Sequence, residues 1–63
     1  MTYSLDIAAL TVIATDAHGE RHDLNAGGAP CVTLDDLRSL VSQLGDQGAY
    51  DDVTTDALLA DIG

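Results

Sequence analysis

The chain has 63 residues with two tyrosines and no phenylalanine or tryptophan, and this scarcity limits its possible folds more than any other feature. Aromatic side chains supply the largest buried areas per residue. Nine Leu, three Ile and four Val remain to build a core, which is therefore expected to be aliphatic and thin. A domain of this size buries only about 60% of the surface its unfolded chain exposes, and its core typically supplies no more than about 3–5 kcal/mol. The length fits one small domain, residues 1–63, without room for a cofactor domain or a deep catalytic cleft. Such a monomer is either marginal or completes its core against a partner or a second copy, so a homo-oligomer is compatible with the sequence.

The local signals divide the chain into a β half and a helical half. Residues 3–16 are rich in β-branched positions (Ile7, Thr11, Val12, Ile13, Thr15), which favour strand. A rival helix over 5–15 fits the spacing of Leu5, Ala8, Ala9, Val12 and Ile13, but the Thr11-Val12-Ile13 run opposes it through lost χ1 freedom. A turn at His18-Gly19 pairs strands 11–16 and 20–24. It sets Asp16 opposite Arg21, Thr15 opposite His22 and Ile13 opposite Leu24. The stretch Asn25-Ala26-Gly27-Gly28-Ala29-Pro30 reads as a loop. Thr33 is an N-cap with Asp36 at the third helical position, flanked by a Val32/Leu37 staple. Leu34, Leu37, Leu40, Val41 and Leu44 form one stripe, so a helix is predicted over 34–44, closed by Gly45 in a left-handed cap. A shorter helix over 55–62 follows, capped by Thr54 with a Val53/Leu58 staple. Val-Thr-x-Asp-x-Leu thus occurs at 32–37 and 53–58, which is better explained by shared capping chemistry than by duplication. The expected fold is α+β: an N-terminal β-hairpin, with room for a third short strand near Cys31-Val32, packed on two C-terminal helices.

Several chemistries are disfavoured. A single cysteine, Cys31, permits no intramolecular disulfide and no four-cysteine zinc site, and after Pro30 it reads as a small buried hydrophobe rather than a nucleophile. Asp16, His18, Glu20 and His22 alternate, and imidazole with carboxylate suits zinc, but a turn at Gly19 would break the alternation. No metal and no cofactor are therefore expected. Gly27-Gly28 lacks the context of a phosphate-binding loop. No catalytic motif is present, so a non-enzymatic role is expected. The N-terminus lacks the positive region of a signal peptide, and the apolar stretch from Ile7 to Ala14 is far short of the roughly 20 residues that span a bilayer. The chain reads as cytoplasmic, with no membrane partner.

The charge is the strongest lead. Eleven acids stand against two arginines, a formal net charge of −9. A small domain usually carries a net charge of magnitude roughly 2–8, and self-repulsion destabilises the compact state. Direct binding to nucleic acid is disfavoured, because phosphates would be repelled. A basic partner, a bound cation or a salt-rich host would each make sense of the imbalance. Asp52 and Asp56 lie one helical turn apart, and Asp61 lies about 7.5 Å beyond Asp56 along a helix axis. Duplex DNA presents a phosphate about every 3.4 Å of axis on each strand, so carboxylates at this spacing can stand in for alternate phosphates.

In its length, its 11-to-2 charge ratio and its acid-rich stretch from Asp46 to Asp61, the chain resembles the small acidic inhibitors that phages and other mobile elements use against host defence, the anti-CRISPR and anti-restriction proteins. The resemblance is one of class and matches no family motif. It implies an inhibitor that occludes the basic nucleic-acid-binding groove of a host complex by nucleic-acid mimicry. The expected contact residues, chosen on charge, are Asp46, Asp51, Asp52, Asp56 and Asp61, with Asp35 and Asp36 behind them. The alternative is a small structural, assembly or antitoxin-like adaptor module.

Overall fold

In the computed structural model, which describes residues 1–25 and 27–63, the chain runs β1 (Thr2–Asp6), β2 (Thr11–Thr15), β3 (Arg21–Asp23), α1 (Leu34–Asp46) and α2 (Asp52–Ile62). The strands form one antiparallel sheet in the order β1-β2-β3, and the two helices follow it, so the fold is α+β. The third strand is not near Cys31-Val32, where no strand forms. It is β1, because the β-branched stretch over 3–16 folds into a hairpin of its own. Residues 7–10 make the turn without any Gly, Pro or Asn. Leu10 takes a φ of 54°, a conformation that costs a side chain with a Cβ roughly 1–2 kcal/mol. Two contacts offset that cost: Asp6 Oδ1 accepts the Ala9 N–H at 3.0 Å, and Leu10 packs against the core. The expected loop over 25–30 includes Ala26, which lies outside the described residues.

The β2–β3 hairpin forms where expected but in a different register. Thr15 pairs with Arg21, Ala14 with His22 and Ile13 with Asp23, one residue away from the pairing of Asp16 with Arg21. The loop is three residues long, with Gly19 at φ 81° after a turn closed by Gly19 N–H to Asp16 O at 3.1 Å. A type I turn followed by a left-handed residue is a common three-residue hairpin connection. Because side chains alternate across a strand, a one-residue slip moves each β3 side chain to the other face. The observed register sets Val12, Ala14 and their β1 partners Leu5 and Tyr3 on one face, toward the core cluster of Val12, Leu37, Val41, Tyr50 and Leu58.

The first helix starts as predicted. Thr33 Oγ1 accepts the Asp36 N–H at 3.2 Å, and Asp36 Oδ2 accepts the Thr33 N–H at 3.2 Å and the Val32 N–H at 2.9 Å. The staple does not bury Val32, which stays 78% exposed. Gly45 lies inside the helix rather than ending it: Gln47 is the C-cap, and Gly48 carries the positive φ of 85°. The second helix begins earlier than predicted. Asp51 is its N-cap, with Oδ1 accepting the Thr54 N–H at 2.8 Å. Thr54 is therefore helical, and Val53, 77% exposed, is no staple residue. The two Val-Thr-x-Asp-x-Leu strings thus play different parts, a cap at 33 and a first helical turn at 54.

Gly45 allows the two helices to approach closely. A Cβ placed on it would collide with Thr55 Oγ1 and meet Thr55 Cγ2 at 3.3 Å. Thr55 cannot easily swing away, because it is β-branched and its hydroxyl donates to Asp51 O at 3.0 Å. Replacing glycine by alanine in a helix interior normally stabilises by about 1 kcal/mol. Here Gly45→Ala is expected to lower the thermal midpoint instead, and Gly45→Ala with Thr55→Ala to recover most of the loss. An unchanged or raised midpoint in Gly45→Ala alone would show that the helix contact is looser than described.

Candidate functional site: the acidic surface

All seven predicted contact residues, Asp35, Asp36, Asp46, Asp51, Asp52, Asp56 and Asp61, are exposed. They differ in what else they do. Asp36 is committed to the capping box, and Asp51 caps α2. The Val32 and Thr33 N–H groups hold the Asp36 carboxyl below the ordinary 3.8 of a free aspartate. The Thr54 N–H lowers Asp51 in the same way. Asp35 pairs with Arg38 one turn on, and Asp52 lies in the first turn of α2, where the helix dipole favours an anion.

Acids outside the predicted set are also used by the backbone. The His22 imidazole and the N–H groups of Glu20 and His18 lower Asp16. The Thr11 hydroxyl, at 2.6 Å, and the Asn25 N–H lower Asp23. Four of the seven predicted residues have no hydrogen-bond or ion-pair partner among the described residues: Asp46, Asp52, Asp56 and Asp61, of which Asp52 alone stands in a first helical turn. Asp46 is the last residue of α1, and Asp61 lies in the last turn of α2, with no basic residue in either last turn. An anion at a helix C-terminus is unfavourable by roughly 0.3–1 kcal/mol. Folding of the two helices therefore does not explain these carboxylates.

Their arrangement is broader than a single row. Asp52 and Asp56 are about 40° apart around α2, whereas Asp61 is about 140° further round from Asp56. Between them the outward face of α2 carries Val53, Ala57 and Ala60, all exposed. On α1, Asp35 and Asp46 share one face, about 16 Å apart along the axis, with Ser39 and Ser42 between. Axial spacing alone had suggested a continuous phosphate-like line, but the helix periodicity splits the α2 acids across two flanks of an apolar strip.

The cations do little to interrupt this surface. Arg38 is held by Asp35 and by Gly63 O at 3.0 Å. Arg21 is exposed on β3, opposite Thr15. A groove of about 480 Å³ opens between α1 and residues 24–25 and 28–31, lined by Leu24, Pro30, Cys31, Asp36, Leu40 and Leu44 among others. Cys31 is half-buried there rather than enclosed. No helix among the described residues is long and apolar enough to cross a membrane. No known protein family, curated protein or solved structure matches the chain.

The capping carboxylates set a pH dependence with a definite sign. Asp36 and Asp51 titrate lower in the folded state than the ordinary 3.8. Their contribution is complete above that value and is lost as pH falls through the lower folded values. Asparagine keeps an oxygen acceptor but does not titrate. The Asp36→Asn, Asp51→Asn double variant is therefore expected to show a flatter fall of the thermal midpoint below about pH 4. Parallel acid limbs in variant and wild type would contradict this assignment.

Proposed function

We propose that this chain is a non-enzymatic binding protein whose acidic helical surface engages a basic, nucleic-acid-binding surface of another protein or complex. It would block nucleic acid from that surface, in the manner of an anti-CRISPR or anti-restriction inhibitor. One observation carries the reading: Asp46, Asp56 and Asp61 are exposed, without local partners, and two of them stand in last helical turns where they oppose helix stability. Self-repulsion at a net charge of −9 adds to that cost, and a basic partner offsets both. Close charge pairs across a desolvated interface are worth about 1.5–7 kcal/mol. Opposite fields also speed encounter in a salt-dependent way. The split of the acids around α2 favours a groove that grips the helix from two sides over one that reads a single strand-like row.

A second reading, an assembly or adaptor module, is favoured by the apolar strip of Val53, Ala57 and Ala60 between the acidic flanks. The two readings respond oppositely to charge removal. The Asp46→Asn, Asp56→Asn, Asp61→Asn triple variant leaves both N-caps and the Asp35–Arg38 pair intact. It is expected to fold as wild type and to lose more than about tenfold in affinity for a basic partner captured at low salt, the partner then regaining its nucleic acid. Undiminished binding by the triple variant, together with loss of binding in Val53→Asp, would overturn mimicry in favour of an apolar interface.

A further inference from the structure

The β2–β3 hairpin tip gathers three side chains that the acidic helical surface does not involve. Backbone pairing continues past Thr15 and Arg21 to Asp16, whose N–H donates to Glu20 O at 3.0 Å. Cross-strand partners share a face, and residues two apart on a strand share it too. Asp16, Glu20 and His22 therefore lie on one face, while Arg21 lies on the other. The register expected from the sequence would have set Asp16 and His22 on opposite faces. The turn at Gly19, expected to disperse these residues, instead folds them together.

One ligand atom from each of Asp16, Glu20 and His22 lies within 4.8 Å of the other two. Asp16 Oδ1 accepts the N–H groups of His18 at 2.9 Å and Glu20 at 3.0 Å, which fixes the carboxylate. Its other oxygen, Oδ2, stands 3.2 Å from His22 Nε2. In a tetrahedral zinc site with bonds of about 2.0–2.1 Å to nitrogen and oxygen, neighbouring ligand atoms are roughly 3.3 Å apart. The Asp16–His22 spacing thus already matches one edge of such a tetrahedron. The donor types also suit the ion: zinc accepts both imidazole nitrogen and carboxylate oxygen, and three protein ligands leave a fourth position to water. The two carboxylates supply two negative charges, and the nearest arginine in sequence, Arg21, is directed to the opposite face.

We propose that Asp16, Glu20 and His22 form a three-ligand site for a divalent transition-metal cation of the zinc type. In the metal-free state His22 Nε2 and Asp16 Oδ2 share a hydrogen bond. On binding, the cation takes the place of the Nε2 hydrogen, the neutral imidazole carries its single N–H on Nδ1 instead by proton exchange with water, and Nε2 and Oδ2 both turn lone pairs to the cation. The consequence is mechanical as well as electrostatic. β3 is only three residues long and exposed throughout. Small domains without disulfides commonly rely on a metal to hold such elements, and this cation would tie β3 to the end of β2 while reducing the net negative charge.

The test uses the full chain, freed of metal and titrated with Zn²⁺ by calorimetry and by ¹H–¹⁵N NMR. Expected are one equivalent bound, resonance changes centred on residues 16–22 that include the His22 ring nitrogens, and a thermal midpoint that rises with Zn²⁺. His22→Gln and Asp16→Asn are each expected to weaken binding at least tenfold. Asp16→Asn retains an oxygen for the two N–H bonds of the turn, so it separates loss of a ligand from loss of the loop. His18→Ala is expected to bind as wild type. Three results would each overturn the proposal: no saturable binding at millimolar Zn²⁺, unchanged affinity in His22→Gln, or shifts centred on Asp46 to Asp61. An equal response to Mg²⁺ would also do so, since it marks diffuse attraction to an acidic surface.

Discussion

The contact between Tyr3 and Tyr50 joins the two halves of this protein. Their rings meet edge to face with centroids 5.0 Å apart and planes at 69°. Tyr3 OH also reaches across the halves to donate to Ala49 O at 2.8 Å, while Tyr50 OH is fixed within the helical half by donating to Val41 O at 2.7 Å. Tyr50 is only 8% exposed, and burial pushes its phenol up from the usual 10.0. Such an aromatic pair is worth about 0.5–1.5 kcal/mol beyond the area it buries, and each hydrogen bond about 1 kcal/mol net. Against a core that supplies about 3–5 kcal/mol, this joint is a large share of the total. The aliphatic core fills the space between sheet and helices, and the tyrosines set how the two are held.

The acids divide according to what the backbone asks of them. Asp6, Asp16, Asp23, Asp36 and Asp51 accept N–H groups in turns and caps. The charge imbalance is therefore partly a folding device: short carboxylates close the turns and helix starts of a chain with few other polar anchors. What remains after those uses is concentrated on the helices. The proposed partner surface uses that remainder, so its charges can be removed without disturbing the caps, whereas at the hairpin tip the Asp16 carboxylate serves both the turn and the proposed cation.

Fold class was legible because its strongest signals are local. The Thr33–Asp36 box and the apolar stripe of α1 follow from neighbouring residues, and the β-branched run over 11–15 marks β2. The first turn was not legible, since Ile7, Ala8, Ala9 and Leu10 include no turn-forming residue and Leu10 adopts its conformation only because the core receives it. The β2–β3 register was misjudged because Asp16–Arg21 and Ile13–Leu24 look like good pairs. The three-residue loop and the Thr11–Asp23 hydrogen bond, neither marked in the sequence, favour the other alignment. At α2 two cap residues compete, and Asp51 wins over Thr54. Exposure of the candidate acids followed from their charge. Their division around α2 was obscured by considering only their spacing along the axis.

The tyrosine joint has a consequence for how folding can be watched. The meander and the helical pair each close over short loops, contacts that form quickly, whereas bringing Tyr3 to Ala49 spans most of the chain. With no tryptophan present, the two tyrosines are the chain's main intrinsic fluorophores, and both sit where the halves meet. Tyrosine emission from this protein therefore reports the docking of sheet on helices through Tyr3, and the seating of Tyr50 against α1 through its bond to Val41 O.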